Sequence, residues 1–436
     1  MSTSDPHNAP GTNAPGTNAP GTNAPGTNAP GTNAPGTRPH DAPDLTAVEA
    51  AVLAALHAAP ADHPADAPAP NPIRAALRDV VRYQHRHNPA LARFWDLRGF
   101  DPSGDIDPDL IPAVPTDVFR HVRLASDEAP ARVTFRTSGT TSGQRGEHHH
   151  ISTRCYDAGA LLHARRLLPT PPGGWRFVNL TFPPDTHPDS SLSHMVALFV
   201  RELGDGDPSS ARFHLGPSGI DASSVREALQ RAAHDGAPCL VFGTAFALAD
   251  VLDLCPPVTL PPGSVVIETG GFKGRREALE PSAFRDAISR QLGVPTGRIM
   301  SEYGMTELSS QLYTRLQEQL GSLADVGQPT NAGPLTDVAA LAGGAAQPIS
   351  LPDPQPRLLV PPPWLLVRAC DPEDLRPLPS GETGILRFVD LCNVDSVVAV
   401  QTSDVGRVTP GGVELLGRAP GSTPRGCSLA IEELRR

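Results

Sequence analysis

The densest run of chemistry-bearing residues in this 436-residue chain is Thr137-Ser138-Gly139-Thr140-Thr141-Ser142-Gly143-Gln144-Arg145-Gly146. Its glycines let the backbone approach an anion, its hydroxyls add hydrogen-bond donors, and Arg145 offers a forked cation. A strand-like run, Val133-Thr134-Phe135, leads into it. Those features point to phosphate binding rather than to an ordinary polar surface loop. A Walker A loop is excluded, because the lysine and the hydroxyl residue that must follow it are missing. A second concentration, Ser301-Glu302-Tyr303-Gly304-Met305-Thr306-Glu307, sets an aromatic face, a permissive glycine, a hydroxyl and a carboxylate close together. The aromatic can stack on a base, and the carboxylate can hold Mg2+, which shares oxygen ligands with phosphates. A helix start with Tyr303 in the core would use the same residue types.

Cys427 sits just before or at the start of a helical stretch, Ser428 to Arg436, with Arg425 two residues away. A helix N-terminus and a nearby cation both favour thiolate, the attacking form of cysteine. A buried structural thiol is the alternative there, and it is the reading for the other five cysteines. The six are far apart, with no metal-ligand spacing. His148, His149 and His150 are consecutive and cannot all face one ion, so a solvated or mixed-face run is expected. His194 is a candidate pocket residue or a packing residue.

The 137–146 stretch is similar to the Ser/Thr-Gly-rich phosphate loop of adenylate-forming enzymes, with Ser142 and Gln144-Arg145 as departures. Residues 303–307 resemble that superfamily's YGxTE motif. Gly381-Glu382-Thr383-Gly384-Ile385-Leu386 is similar to its GExGEL strand, Gln401 to Arg407 to its TGD segment, and Gly417-Arg418 to the GR that follows. Further stretches point to the acyl-protein synthetase (LuxE-type) branch, over residues 73 to the end. They are Ile111-Pro112-Ala113-Val114-Pro115 before Phe119-Arg120, Ser190 to Met195, Thr269-Gly270-Gly271-Phe272-Lys273 and Arg425-Gly426-Cys427-Ser428-Leu429.

The resemblance implies ATP and Mg2+ as cofactors, with Thr137, Ser138, Gly139, Thr140, Thr141, Gly143 and Arg145 around the phosphates. It also implies Gly270, Gly271 and Gly304 beside the nucleotide, Tyr303 on adenine, Thr306 on phosphate and Glu307 on magnesium. Asp404 falls to the ribose and Arg418 to the nucleotide site. The implied activity is conversion of a carboxylic acid, fatty in this branch, to an acyl-adenylate. The acyl group then passes to Cys427 and on to a reductase or carrier protein. An acyl- or aryl-CoA ligase and a non-catalytic nucleotide-binding scaffold are the competing readings. The chain ends 18 residues after Arg418, so the superfamily's usual C-terminal domain, with its lysine, is expected to be absent or vestigial.

Elements must position these groups. From about 130, short apolar runs (Arg176–Leu180, Cys239–Phe242, Val265–Ile267) alternate with helical stretches at 222–234 and 281–292, the pattern of βαβ units. Past 330, Trp364–Val367, Gly384–Val389, Val397–Val400 and Val413–Leu416 read as a more antiparallel group of strands. The expectation is an α/β fold, the large N-terminal domain of adenylate-forming enzymes, with mostly parallel sheets plus a smaller β-subdomain. Residues 1–43, with perfect Asn-Ala-Pro-Gly-Thr repeats over 8–37, lack the apolar surface to fold and read as a disordered tail. Residues 44–72 read as a short helix and a Pro/Ala linker, 73–330 as the α/β core, 331–424 as the β-rich subdomain and 425–436 as the acyl-acceptor segment. The net charge of −11 argues against a general nucleic-acid or anionic-membrane surface. The N-terminus has no basic flank and no apolar core, so no signal peptide is expected, and no apolar run is long enough to span a bilayer, so a cytoplasmic protein is expected.

Overall fold

Asp44 opens the first helix, α1 (Leu45–Ala58), by accepting the Ala47 N–H at 2.8 Å, which satisfies one of the donors a helix start leaves unpaired. Proline in the first turn begins α2 (Asn71–His87), and α3 (Pro89–Asp96) follows. This is a computed structural model of the chain; it describes residues 44–138, 144–270, 280–319, 357–419 and 433–434. The repeat tail, Gly139, Thr140, Thr141, Gly143, Gly271, Lys273 and Cys427 lie outside the described residues. All described residues belong to one compact unit, Asp41–Arg436.

After α3 come β1 (Val114–Pro115), β2 (Val133–Arg136), β3 (Glu147–His150), α4 (Arg154–Leu167), β4 (Arg176–Leu180) and α5 (Ser191–Leu203). A small hairpin, β5 (Leu215–Gly216) and β6 (Gly219–Ile220), precedes α6 (Ala222–Asp235), β7 (Cys239–Thr244), α7 (Ala245–Leu254), β8 (Val265–Thr269), α8 (Pro281–Leu292) and β9 (Ile299–Tyr303). The chain closes with β10 (Leu312–Thr314), β11 (Leu359–Val360), β12 (Leu365–Cys370), β13 (Thr383–Asp390), β14 (Ala399–Thr409) and β15 (Gly412–Arg418).

One eleven-stranded sheet takes the order β12-β13-β14-β15-β11-β10-β9-β8-β7-β4, with β1 parallel to β14 at its side. Strands β4, β7, β8 and β9 are parallel neighbours. From β9 outward through β10 every pairing along that path is antiparallel. The two sequence-predicted strand groups are therefore one hydrogen-bonded surface, joined through β10 and β11.

Strand alternation builds the two faces of the parallel part. Phe177, Leu240, Phe242, Val265 and Ile267 point into a core with α4 and α5. Val178, Val241 and Val266, at the positions between, point into a second core with α6, α7 and α8. Both faces are covered, which is why these strands read as unbroken apolar runs. A third core joins α1, α2 and α3 to β12, β13 and β14. In it Val48, Val52 and Leu56 of α1 are fully buried, and Ala65 and Ala69 from the expected linker are buried as well. The Ala65 N–H bonds to Pro410 O at 3.2 Å. The folded body thus reaches back to Leu45 rather than starting near Ile73, because the alanines of 59–72 are small enough to seat against the sheet.

Candidate nucleotide site

The glycine-rich loop hangs from a β2–β3 hairpin in which Arg136 pairs with Glu147 and Val133 with His150. Thr137 closes the loop's base twice: its N–H donates to Gly146 O at 3.0 Å, and its Oγ1 accepts the Gly146 N–H at 2.9 Å. Arg145 clasps the same base. It donates to Thr137 O at 2.5 Å, to Arg136 O at 3.1 Å and to the Asp189 carboxylate at 2.6 Å. Three of the five guanidinium N–H groups are thereby spent on the protein, leaving two for an anion. Ser138 follows as an exposed residue at the loop's mouth.

Across the sheet, the end of β9 meets β14 next to the register shift at Val405–Gly406. The Tyr303 hydroxyl donates to Asp404 Oδ2 at 2.8 Å, and Arg418 Nε donates to Asp404 Oδ1 at 2.9 Å. Burial and then the neighbouring Asp404 charge hold the Tyr303 phenol well above its ordinary range, so it stays a donor. The Tyr303 ring stacks on Phe388 with centroids 5.9 Å apart and planes 22° from parallel. At Gly304 a Cβ would lie 2.6 Å from Glu302 Oε1, so a side chain there would displace that carboxylate. Gly270 ends β8 in the left-handed region (φ 71°) with open space where a side chain would project.

His148 links the hairpin to Thr306. Strand alternation turns His148 and His150 inward and His149 outward, so the three histidines do split across two faces. The His148 Nδ1–H donates to Thr306 O at 2.7 Å, and Nε2 lies 2.6 Å from Ser396 Oγ. A carbonyl can only accept, so Nδ1 carries the proton and Nε2 accepts from the serine hydroxyl. Burial, then His150, pushes this imidazole well below its usual range, consistent with the neutral form. The next residues are gripped from residues 390–393. Asn393 Nδ2 donates to Glu307 O at 2.9 Å, and Ser309 Oγ donates to Asn393 Oδ1 at 2.7 Å. Asp390 accepts the Ser309 and Ser310 N–H groups at 2.9 and 2.8 Å. His148, Asp390, Asn393 and Ser396 thus fix the backbone of 306–310. None was singled out in the sequence, apart from the histidine run; a buried polar cluster between two apolar strands was the available signal.

Burial raises the Glu307 carboxyl to about 7, against the pull of its own backbone N–H, Arg120 and Arg418, with Asp117 adding to the rise. Such a carboxyl has electrostatic room for a cation in place of its proton. Among the described residues no group of three or more His, Cys, Asp or Glu could hold a metal alone. That donor set fits magnesium held by one carboxylate together with phosphate oxygens. Glu302 is also raised to about 7, by burial first, and accepts a hydrogen bond from the Thr269 hydroxyl. His194 pairs with Asp157 at 2.7 Å, its ring 5.4 Å from both Phe135 and Tyr156.

The structure therefore gathers Tyr303, Gly304, Asp404 and Arg418, ties Thr306 through His148 to the hairpin of Thr137 and Arg145, and holds the Glu307 backbone from Asn393. No helix among the described residues is long and apolar enough to cross a membrane.

No protein-family model matches the chain. It is 34% identical over 79 residues to the long-chain-fatty-acid–luciferin-component ligases of Vibrio harveyi and Aliivibrio fischeri, a match covering 16% of this chain and 21% of each relative. The chain thus matches about a fifth of the length of those curated relatives. Among solved structures, an open conformation of 2-hydroxyisobutyryl-CoA ligase with 2-HIB-AMP and CoA aligns at TM-score 0.53 and 16% identity, over 80% of this chain and 70% of that one. The postadenylation state of that ligase gives TM-score 0.53 and 15% identity, over 80% and 67%. The chain has the α/β fold of the adenylate-forming ligases, and part of its sequence is similar to the luciferin-component (LuxE) ligases.

Proposed function

We propose that this protein is an ATP-dependent carboxylate-activating ligase that forms an acyl-adenylate and passes the acyl group to Cys427. The observation that carries the reading is the meeting of Tyr303 and Arg418 on Asp404, with Glu307 in the field of Arg418. An aromatic ring beside a carboxylate suits adenine and ribose hydroxyls. The 137–146 loop and Thr306 suit the phosphates.

In this scheme a carboxylate oxygen of the acid attacks the α-phosphorus of ATP, and pyrophosphate leaves. Loop amides and hydroxyls preorganise the donors that meet developing charge, which is the largest expected catalytic contribution. Magnesium held by Glu307 would neutralise phosphate charge. His148 and Asn393 keep the 306–307 backbone still while this happens. The Cys427 thiolate then attacks the acyl carbon, the bond to the phosphate oxygen breaks, and AMP leaves. The five described cysteines make poor nucleophiles: all are buried, and burial raises every thiol, that of Cys239 to about 12. Onward transfer would go to a reductase or carrier protein.

Labelled fatty acid with ATP tests the scheme. A thioester-linked label should appear on the wild type and vanish in Cys427→Ser, while pyrophosphate exchange survives. Label retained by the variant removes Cys427. Free acyl-CoA accumulating on addition of CoA would instead assign the protein as a CoA ligase.

A further inference from the structure

Glu433 and Leu434 are gripped by α3 and the turn that follows it. Leu434 is buried in the same apolar core as α1, α2 and α3. Arg93 reaches the main chain of both residues: its Nε donates to Glu433 O at 3.2 Å and its Nη2 to Leu434 O at 3.4 Å. The rigid fork of a guanidinium suits two successive carbonyls in this way. Arg98 meets the Glu433 carboxylate, with both side chains less than a third exposed. Its guanidinium also lies over the Phe94 ring, 3.7 Å from the centroid, and donates to Phe94 O at 3.3 Å. An isolated ion pair in water is worth little. Here an apolar, a main-chain and an ionic contact all fall on two adjacent residues.

A second fixed point lies upstream in the sequence. The Ala419 N–H donates to Ser403 O at 3.0 Å, next to Asp404 and its partner Arg418. Cys427 comes eight residues after Ala419 and six before Glu433. A chain spans at most about 3.3–3.6 Å per residue, so covalent geometry keeps Cys427 within about 22 Å of Glu433 and about 29 Å of Ala419. The α3 end of this arrangement is itself tied to the strand that carries Asp404. Trp95 Nε1 donates to Pro112 O at 3.0 Å, and Val114, two residues on, pairs with Val400 of β14. For a thiol that must meet an acyl-adenylate, a second fixed end matters. It removes positions open to a chain held at Ala419 alone and so raises the effective concentration of the thiol.

We propose that Arg93 and Arg98 are positioning residues for acyl transfer: by clamping Glu433 and Leu434 on α3, they hold Cys427 within reach of the acyl-adenylate. The proposal rests on the reading of Cys427 as the acyl acceptor; the clamp contacts do not. In the step it serves, the bond from sulfur to the acyl carbon forms, the bond from that carbon to the phosphate oxygen breaks, and AMP leaves. The two arginines touch none of those atoms.

The test compares two rates on the full chain: ATP–pyrophosphate exchange, and thioester labelling of Cys427 from a labelled long-chain fatty acid with ATP. Arg93→Ala and Arg98→Glu should each leave exchange within about two-fold of wild type and slow labelling at least about three-fold. Reversing the ion pair, Arg98→Glu with Glu433→Arg, should restore most of the labelling rate, which a general loss of stability would not allow. Hydrogen exchange of the C-terminal peptide should quicken in the single variants and return toward wild type in the reversed pair. Labelling at the wild-type rate in both single variants overturns the proposal, as does a parallel fall of exchange and labelling. Unchanged hydrogen exchange in Arg93→Ala overturns it too, because the clamp then does not hold in solution. A wild type that exchanges for no acid sinks the ligase reading and takes the transfer role with it. A wild type that exchanges but carries no label on Cys427 removes the acceptor and this proposal, and leaves acid activation standing.

Discussion

The Tyr303 hydroxyl donates to Asp404 across 101 residues of chain, at 2.8 Å, and Arg418 takes the carboxylate's other oxygen at 2.9 Å. This contact joins the last strand of the parallel block to the antiparallel strands beyond it. Tyr303→Phe removes one charge-assisted hydrogen bond and keeps the ring. We expect KM for ATP to rise about ten-fold with a smaller change in kcat, since such bonds are worth about 1.5–3 kcal/mol. Asp404→Ala should cost more, because it also removes the expected ribose contact and leaves Arg418 without its partner. Steady-state pyrophosphate exchange against ATP concentration checks both.

His148 gives a second prediction. Replacing it with Phe leaves the Thr306 carbonyl and the Ser396 hydroxyl without their partner in a buried place, at about 1–3 kcal/mol each. The melting temperature should fall by several degrees, and the Mg2+ needed for half-maximal exchange should rise. His148→Asn, whose amide can donate to Thr306, should recover part of the Mg2+ dependence. Equal Mg2+ requirements in wild type and Phe variant would remove His148 from the site's support.

Glu307 makes magnesium use pH-dependent. Its carboxyl is raised to about 7, so below that pH a proton competes with the metal. Apparent Mg2+ affinity should rise about ten-fold per pH unit up to roughly 7 and level off above it. Glu307→Gln should abolish the slope. Mg2+ titrations of exchange activity between pH 5.5 and 8.5 read it directly.

Glu302 has the same direction of shift, to about 7, with burial as its main cause. A carboxyl raised above its unfolded value costs the folded state nothing when both states are protonated, below about 4.5. The cost grows as pH climbs from there to about 7 and stays constant beyond. Glu302→Gln keeps an acceptor for Thr269 and cannot ionise. It should therefore gain melting temperature relative to wild type as pH rises from 5 to 8, and show no such gain near pH 4.

Much of the fold could be read from local pattern. Arg176–Leu180, Cys239–Thr244 and Val265–Thr269 are buried on both faces, and a short apolar run records that without reference to partners. Tyr303 and Asp404 are each visible in their own motif, because each motif is a contiguous run on one strand or just past its end. What local pattern does not record is pairing across long separations. Nothing near Leu312 or Leu359 says that β10 and β11 weld the two strand groups together. Nor does anything near His148 name Ser396, 248 residues away. The run 59–72 was misleading for a different reason: proline and alanine are common in linkers, yet a small side chain such as Ala65 also fits tightly against a folded surface.

ATP–pyrophosphate exchange across a panel of carboxylic acids, run on wild type and Asp404→Ala, bears most directly on whether the loop, Glu307 and Asp404 serve one ATP. The account predicts acid-dependent exchange in the wild type for at least one acid, and loss of most of it in the variant with the fold intact. ATP binding without exchange for any acid would contradict activation, and full exchange in Asp404→Ala would contradict the site.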